Sequence, residues 1–267
     1  MTTQLICYEH PLNECIRICL RLEHLFSQFH ANIKRTSKQS SRTSIAVLIE
    51  ILNVIERPDL KSRLTQTLTQ NMATLNQLQE SPHINRKELM QILSELDPLI
   101  NQLHSTHTKI ADSLRNHEFL NSIRMQLHNP GGACDFSLPV FALWLRQDIE
   151  QQHEQLLSWY EEFNLLEKIC GIILKLMRDS TIPEKIIATE GFYQRTLNSH
   201  RKYVLTVLLP PNEIFTRMTW KETDNGDYYA DETEYITAKI TQSQSGQLWY
   251  NVSYDSPLIL ETHDIYI

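Results

Sequence analysis

Glu9-His10-Pro11-Leu12-Asn13-Glu14 opens the stretch whose reading decides the fold, and that stretch continues to Ile33. Within it Leu12, Cys15, Ile16, Cys19, Leu22, Phe26 and Phe29 recur at the spacing of a helix with one face in a core. Glu9 and Glu14 put negative charge at the start of that helix, where the macrodipole favours it. Glu14, Arg17, Arg21, His24 and Gln28 fall on one narrow stripe, and most of the remaining circumference is apolar. The spacing predicts a largely buried helix with a single polar seam. Glu14 and Arg17 have the spacing of an ordinary i,i+3 ion pair, which carries little energy on a surface. Alternatively, Arg17 and Arg21 line a groove for an acidic or carboxylate-bearing peptide, which a guanidinium fork grips bidentately.

Helical periods continue outward from there. Thr43 or Ser44 can cap a second helix through Ile45, Leu48, Leu52 and Ile55, which Pro58 stops. Arg57 sits at its C-terminus, where a cation is favourable for structural reasons and is also accessible to a partner. Leu60, Leu64, Leu68, Met72, Leu75 and Leu78 mark a third helix, more often the core face of a bundle helix than a coiled-coil seam. Glu88 to about Leu114 reads as helix with a kink at Pro98, and His117 to Leu127 as a short helix. Pro130-Gly131-Gly132 turns the chain, Asp135 or Ser137 caps the next helix, and Pro139 suits its first turn. Gln147 to Arg178 gives one or two helices with a break at Asn164.

The character changes after Ile182-Pro183. Residues 186–189, 203–208, 235–240, 248–252 and 264–267 are rich in β-branched and aromatic residues, with hairpin-type turns at Asn225-Gly226 and Ser245-Gly246. The expected fold class is α+β: an N-terminal helical bundle domain over residues 1–185 followed by a small antiparallel β-sheet domain over 186–267. Gln4 to Tyr8 alternates and can add a strand to that sheet. The expected charge is uneven: up to Lys185 there are nineteen Lys/Arg and twenty-one Asp/Glu, and from Ile186 onward six and eleven.

Composition narrows the function. The 267 residues carry a formal net charge of −7, which disfavours nucleic acid as the main partner. Six glycines disfavour a Gly-rich phosphate loop. No apolar run reaches the roughly 18 residues needed to span a bilayer, and the first ten residues lack the pattern of a signal peptide. A cytosolic protein without membrane insertion is expected. Cys7, Cys15, Cys19, Cys134 and Cys170 form no Cys-x-x-Cys pair and suit reduced, mostly buried thiols.

Chemical signatures are weak. His104 and His107 share a helical spacing and His117-Glu118 follows, but zinc wants three or four convergent ligands, and exposed polar positions explain them better. Cys134 follows two glycines and could act as a thiol nucleophile, against the simpler reading that it packs in a tight turn. Glu161 and Glu162 are adjacent on a helix and diverge, so they make no acid/base pair. No enzyme activity and no cofactor are expected.

A set of fixed phrases says more. Glu9 to Glu14, Arg17, Leu20-Arg21, Glu56-Arg57, Arg115, Arg124, Pro130-Gly131-Gly132, Asp135-Phe136 with Leu138-Pro139, Trp144-Leu145 and Gly191-Phe192-Tyr193-Gln194 resemble, in order and spacing, the ZapD family of bacterial cell-division proteins. The resemblance runs from Gln4 to Gln194. It implies a cytoplasmic homodimer at the midcell division ring that binds the C-terminal tail of FtsZ and bundles its protofilaments. By resemblance, Arg21 and Arg57 match basic positions implicated in tail binding, and Arg17, Arg115 and Arg124 are nearby family-like arginines. Two basic family positions appear here as Glu118 and Ala142. After Gln194 the likeness fades. The family's basic strand segment has no clear counterpart beyond Lys239, and Glu222 to Glu234 is acidic, so either the tail binds mainly on the helical side or the tail itself has changed. The rivals are a helical adaptor with an unrelated partner and a cysteine-dependent hydrolase or transferase.

Overall fold

The computed structural model describes residues 6–11, 13–35, 37–80, 85–105, 108–127, 129–132 and 134–179, together with the backbone of strand segments between 184 and 254. Nine α-helices lie among these residues: α1 Glu14–Ile33, α2 Lys38–Ile55, α3 Leu60–Gln77, α4 Arg86–Ser105, α5 Asp112–Arg115, α6 Glu118–Leu127, α7 Pro139–Trp144, α8 Ile149–Glu161 and α9 Asn164–Arg178. The chain divides into two units. One comprises Ile18–Met72 and Gln91–Leu174, and the other Met1–Arg17, Ala73–Met90 and Lys175–Ile267.

The expected α+β architecture is overturned. The described residues within 13–179 are 79% helical, and Ile18–Met72 with Gln91–Leu174 holds no strand among its described residues. All of the described core is contributed by helices and the turns between them. The fold class of the packed body is therefore all-helical. Strand propensity after Ile182 was a statement about local backbone preference, which is strongly context-dependent and does not by itself supply a packed sheet domain.

In the other unit, strands are described by backbone pairing alone, and they do not form the single small sheet expected. One order is β1-β4-β7-β2, with β1 Ile6–Pro11, β2 Glu184–Ile187, β4 Lys202–Leu209 and β7 Gln247–Tyr254. The other is β3-β6-β5, with β3 Phe192–Leu197, β5 Ile214–Glu222 and β6 Glu234–Thr241. β1 pairs with β4 from Ile6 opposite Leu209 to Pro11 opposite Val204. The expected strand at 264–267 and both expected hairpin turns lie outside the described residues. Glu9 was expected to favour a helix start. It lies instead in β1, where Arg178 grips it with two bonds, Nε to Oε1 and Nη2 to Oε2, each 2.8 Å.

Local signals explain the helices of the helical unit. α1 buries Ile18, Cys19, Leu22, Leu25, Phe26 and Phe29, the stripe expected from its period. α2 begins earlier than Thr43. Ser37 is its N-cap, closing a capping box in which Ser40 N–H donates to Ser37 Oγ and Ser37 N–H to Ser40 Oγ, both at 3.1 Å. The box hides in sequence because its third residue is Ser rather than the usual Glu or Gln. Thr43 instead donates from mid-helix to the Gln39 carbonyl at 2.9 Å. α4 carries Pro98 in its interior and ends at Ser105. α5 is entered through Ala111, a non-glycine residue at φ 52°. Asp148, not foreseen, caps α8 by accepting from the Ile149 N–H at 2.9 Å.

The Pro-Gly-Gly turn has a steric reason. Gly131 sits at φ +69°, and a Cβ on Gly132 would lie 1.9 Å from the Gln126 carbonyl oxygen. Neither Asp135 nor Ser137 caps α7. Leu138 stands at that position with no side-chain cap, and Pro139 supplies the first turn. Cys134 Sγ lies 3.3 Å from Ser137 Oγ, a contact within the turn.

Two aromatic groups bind the helices of this unit. Phe119 of α6, Phe141 and Trp144 of α7 and Trp159 of α8 pack ring on ring, with centroids 5.7 Å apart for Phe119–Trp159 and 6.3 Å for Trp144–Trp159. Trp144 donates its indole N–H to Gln155 at 2.7 Å, and the Arg42 guanidinium of α2 stands 5.3 Å over Phe141. Elsewhere Phe29 stacks on Tyr160 with centroids 4.3 Å apart. The Tyr160 hydroxyl donates to Glu167 at 2.6 Å, and His30 Nε2 lies 2.9 Å from the other Glu167 oxygen. Burial raises the Tyr160 hydroxyl above its ordinary 10.0, and the hydrogen bond and charge of Glu167 act the same way.

Two outcomes are expected. Gly132→Ala should destabilise the protein by about 2 kcal/mol or more, read from chemical denaturation, because backbone must move to admit the methyl group. The raised Tyr160 value means its stabilisation is complete below the unfolded-state value of about 10 and is lost as pH rises beyond it. Tyr160→Phe should therefore flatten the fall in denaturation midpoint between about pH 9 and about pH 11 relative to the parent protein.

Candidate partner-binding arginine corner

The α2–α3 corner runs Ile55-Glu56-Arg57-Pro58-Asp59-Leu60. A helix end leaves carbonyls without intrahelical partners, and Pro58 has no N–H with which to continue the ladder. Arg115 of α5 meets that need. Its Nη2 donates to the Ile55 carbonyl at 2.5 Å and its Nε to the Ile110 carbonyl at 2.8 Å. Asn121 of α6 returns a bond from Nδ2 to the Arg115 carbonyl at 2.7 Å. Burial lowers the Arg115 guanidinium from its ordinary value, with Arg124 adding to the effect while Glu56 and Asp112 oppose it. An arginine remains charged throughout the physiological range regardless.

Arg124 of α6 completes the frame by pairing through Nη2 with Glu56 Oε2. The Glu56 side chain is 58% exposed and that of Arg124 22%, so the acid faces solvent more than its partner does. Arg57 follows Glu56 and is exposed. Its carbonyl accepts from the Leu60 N–H at 3.4 Å, which starts α3. Asp59 is engaged by Arg63 Nε at 2.5 Å, and that bond is the main reason its carboxyl falls below the usual range.

Of the residues expected to bind a partner, Arg57, Arg115 and Arg124 thus come together, and they do different things. Arg115 is tied to backbone carbonyls and Arg124 to Glu56, while Arg57 is exposed. Arg21 is exposed on α1. The α1 seam is solvated: Arg17 pairs with Glu14, and Gln28 Nε2 lies 2.8 Å from His24 Nε2. Lys239 lies in β6 at the register position opposite Phe192 of β3 and Arg217 of β5. Glu118 is exposed at the start of α6 and Ala142 is half-buried in α7. The role of Glu56 was missed in sequence. Its adjacency to Arg57 was visible, but its partner is 68 residues away.

Other candidates have plain structural settings. His104 is exposed, His107 lies outside the described residues, and His117 packs its ring 5.3 Å from Trp159. Among the described residues, no group of three or more His, Cys, Asp or Glu is arranged to hold a metal ion. No described helix is long and apolar enough to cross a membrane.

The unit of Ile18–Met72 and Gln91–Leu174 is a helical body in which Arg57, Arg115 and Arg124 meet at the end of α2. The ZapD family model, described as "Cell division protein", matches residues 20–217. The chain belongs to that family, and its role lies in cell division. A "Cell division protein ZapD" of Coxiella burnetii (strain RSA 331 / Henzerling II) is 46% identical over 213 residues, covering 80% of this chain and 83% of the relative. The protein of the same name from Nitrosomonas eutropha is 34% identical over 201 residues, covering 75% and 80%. That from Cupriavidus metallidurans is 33% identical over 205 residues, covering 77% and 81%.

The corner predicts a contrast between its two inner arginines. Arg115→Met should cost about 1–3 kcal/mol in denaturant titrations, because it leaves the Ile55 and Ile110 carbonyls without their donor. Arg124→Gln removes a largely surface ion pair and should cost under about 1 kcal/mol.

Proposed function

We propose that this protein binds the C-terminal tail of FtsZ and cross-links FtsZ protofilaments as a homodimer, promoting Z-ring assembly in the cytoplasm at the midcell. The observation that carries this reading is the exposed Arg57 at a corner where Arg115 bonds the Ile55 carbonyl and Arg124 pairs with Glu56, in a chain of a cell-division family. A planar guanidinium fork loses less freedom per hydrogen bond than a lysine does when it meets a carboxylate, and the bond is charge-assisted. Arg21 supplies a second exposed cation on α1. Dimer contacts form within the helical region of residues 1–185. Each protomer captures one tail, so a two-fold dimer joins two filaments and gains avidity from weak individual contacts. Nothing is turned over and no cofactor takes part.

Low-speed co-sedimentation with polymerised FtsZ from the same organism tests this, with full-length and tail-deleted FtsZ in parallel. Bundles should pellet only when the tail is present, and less as salt rises. Arg57→Ala should weaken binding of a tail peptide about tenfold, and Arg21→Ala by a smaller factor. A folded dimer that pellets neither form of FtsZ would overturn the reading.

A further inference from the structure

We propose that Glu56 is a built-in competitor for the arginine corner: its carboxylate occupies Arg124 where an acidic peptide's carboxylate would bind, and so sets the affinity and selectivity of the site. This rests on the reading of the corner as the place where an acidic tail is captured.

The two inner arginines differ in what they can release. Arg115 bonds two backbone carbonyls, Ile55 and Ile110, which are fixed parts of the fold. Those bonds cannot be exchanged for a ligand without stripping the end of α2. Arg124 instead bonds a side chain, Glu56, that is more than half exposed. One carboxylate can replace another on a guanidinium with the same geometry and nearly the same energy. Arg124 is therefore the inner arginine that a ligand can capture, and Glu56 is the group it must displace.

Glu56 weakens ligand binding in two ways that act in the same direction. It is tethered beside Arg124, so it competes at a high effective concentration. It also places a negative charge next to Arg57, which lowers the local potential that steers an acidic partner inward. A peptide with a single carboxylate gains nothing by trading places with Glu56. One carrying several carboxylates, or one that engages Arg57 as well, gains a net contact. The internal acid thus discriminates against weakly acidic segments by making them compete.

The test uses the full-length protein and fluorescence anisotropy with two labelled peptides: the C-terminal tail of FtsZ from the same organism and a short poly-glutamate. Four proteins are compared: the parent, Glu56→Gln, Arg124→Gln and the double variant, each checked for native thermal unfolding. Glu56→Gln should bind both peptides about threefold to fivefold more tightly, the scale of one exposed charge pair. Most of the gain should be lost when Arg124→Gln is also present, leaving only the smaller part that comes from removing the charge beside Arg57. Glu56→Asp keeps the charge but shortens the reach, and should fall between the parent and Glu56→Gln. If the parent binds the tail and Glu56→Gln binds it no better, the competitor role is overturned while tail binding stands. If the tail fails with every protein but poly-glutamate shows the Arg124-dependent gain, the competitor role stands and tail capture falls. A gain that survives Arg124→Gln undiminished, or no binding of either peptide to any variant, overturns the inference.

Discussion

The carbonyl of Ile55 needs a donor, and the guanidinium of Arg115 supplies it. Much of the candidate site depends on that bond. α2 ends at Ile55, the chain must turn at Pro58, and a buried helix end with no partner would cost about as much as the bond contributes. Because Arg115 comes from α5, sixty residues further along, the bond also fixes which part of the chain covers the corner. Arg115 is itself held on both sides, since its N–H donates to the Ala111 carbonyl and its carbonyl accepts from Asn121. The left-handed Ala111 that admits the chain to α5 is the conformational cost of placing the guanidinium there.

The rest of the helical unit serves to hold α6 at the corner. α6 presents Arg124 to Glu56 on one side and Phe119 to the aromatic group on the other. Phe141, Trp144 and Trp159 supply large apolar area with defined geometry, so α6, α7 and α8 have few alternative packings. The close approach of Gly132 to the Gln126 carbonyl brings the chain off the end of α6 and into α7 without a long loop. Gly131 thus supplies a positive φ and Gly132 a close backbone approach, and Cys134 contacts Ser137 within the same turn.

Charge on this protein is local rather than global. The whole chain carries −7, yet the corner gathers three arginines around one exposed glutamate. Such a surface favours short acidic segments over long polyanions, because the field beyond the corner opposes a large negative partner. Individual contacts of this kind are modest and sensitive to salt.

The helical periods, the stop at Pro58, the turn at Pro130-Gly131-Gly132 and the entry at Pro139 were legible because each rests on neighbours within a few residues. The stripe of α1 and the break between α8 and α9 were legible for the same reason. The capping box of α2 is local but written in an unusual residue, so the helix begins earlier than Thr43 or Ser44 suggests. The β-branched and aromatic residues after Ile182 expressed a local backbone preference, which does not set how strands pair; the orders β1-β4-β7-β2 and β3-β6-β5 join segments far apart in sequence. Sequence alone determined the helical periods of α1, α2 and α3, the stop of α2 at Pro58, and that arginines recur at Arg21, Arg57, Arg115 and Arg124. Only tertiary structure decided that Arg115 caps a helix, that Arg124 is occupied by Glu56 and that Arg57 faces outward. Helices close bonds four residues apart, whereas a guanidinium takes whichever oxygen the fold brings within reach.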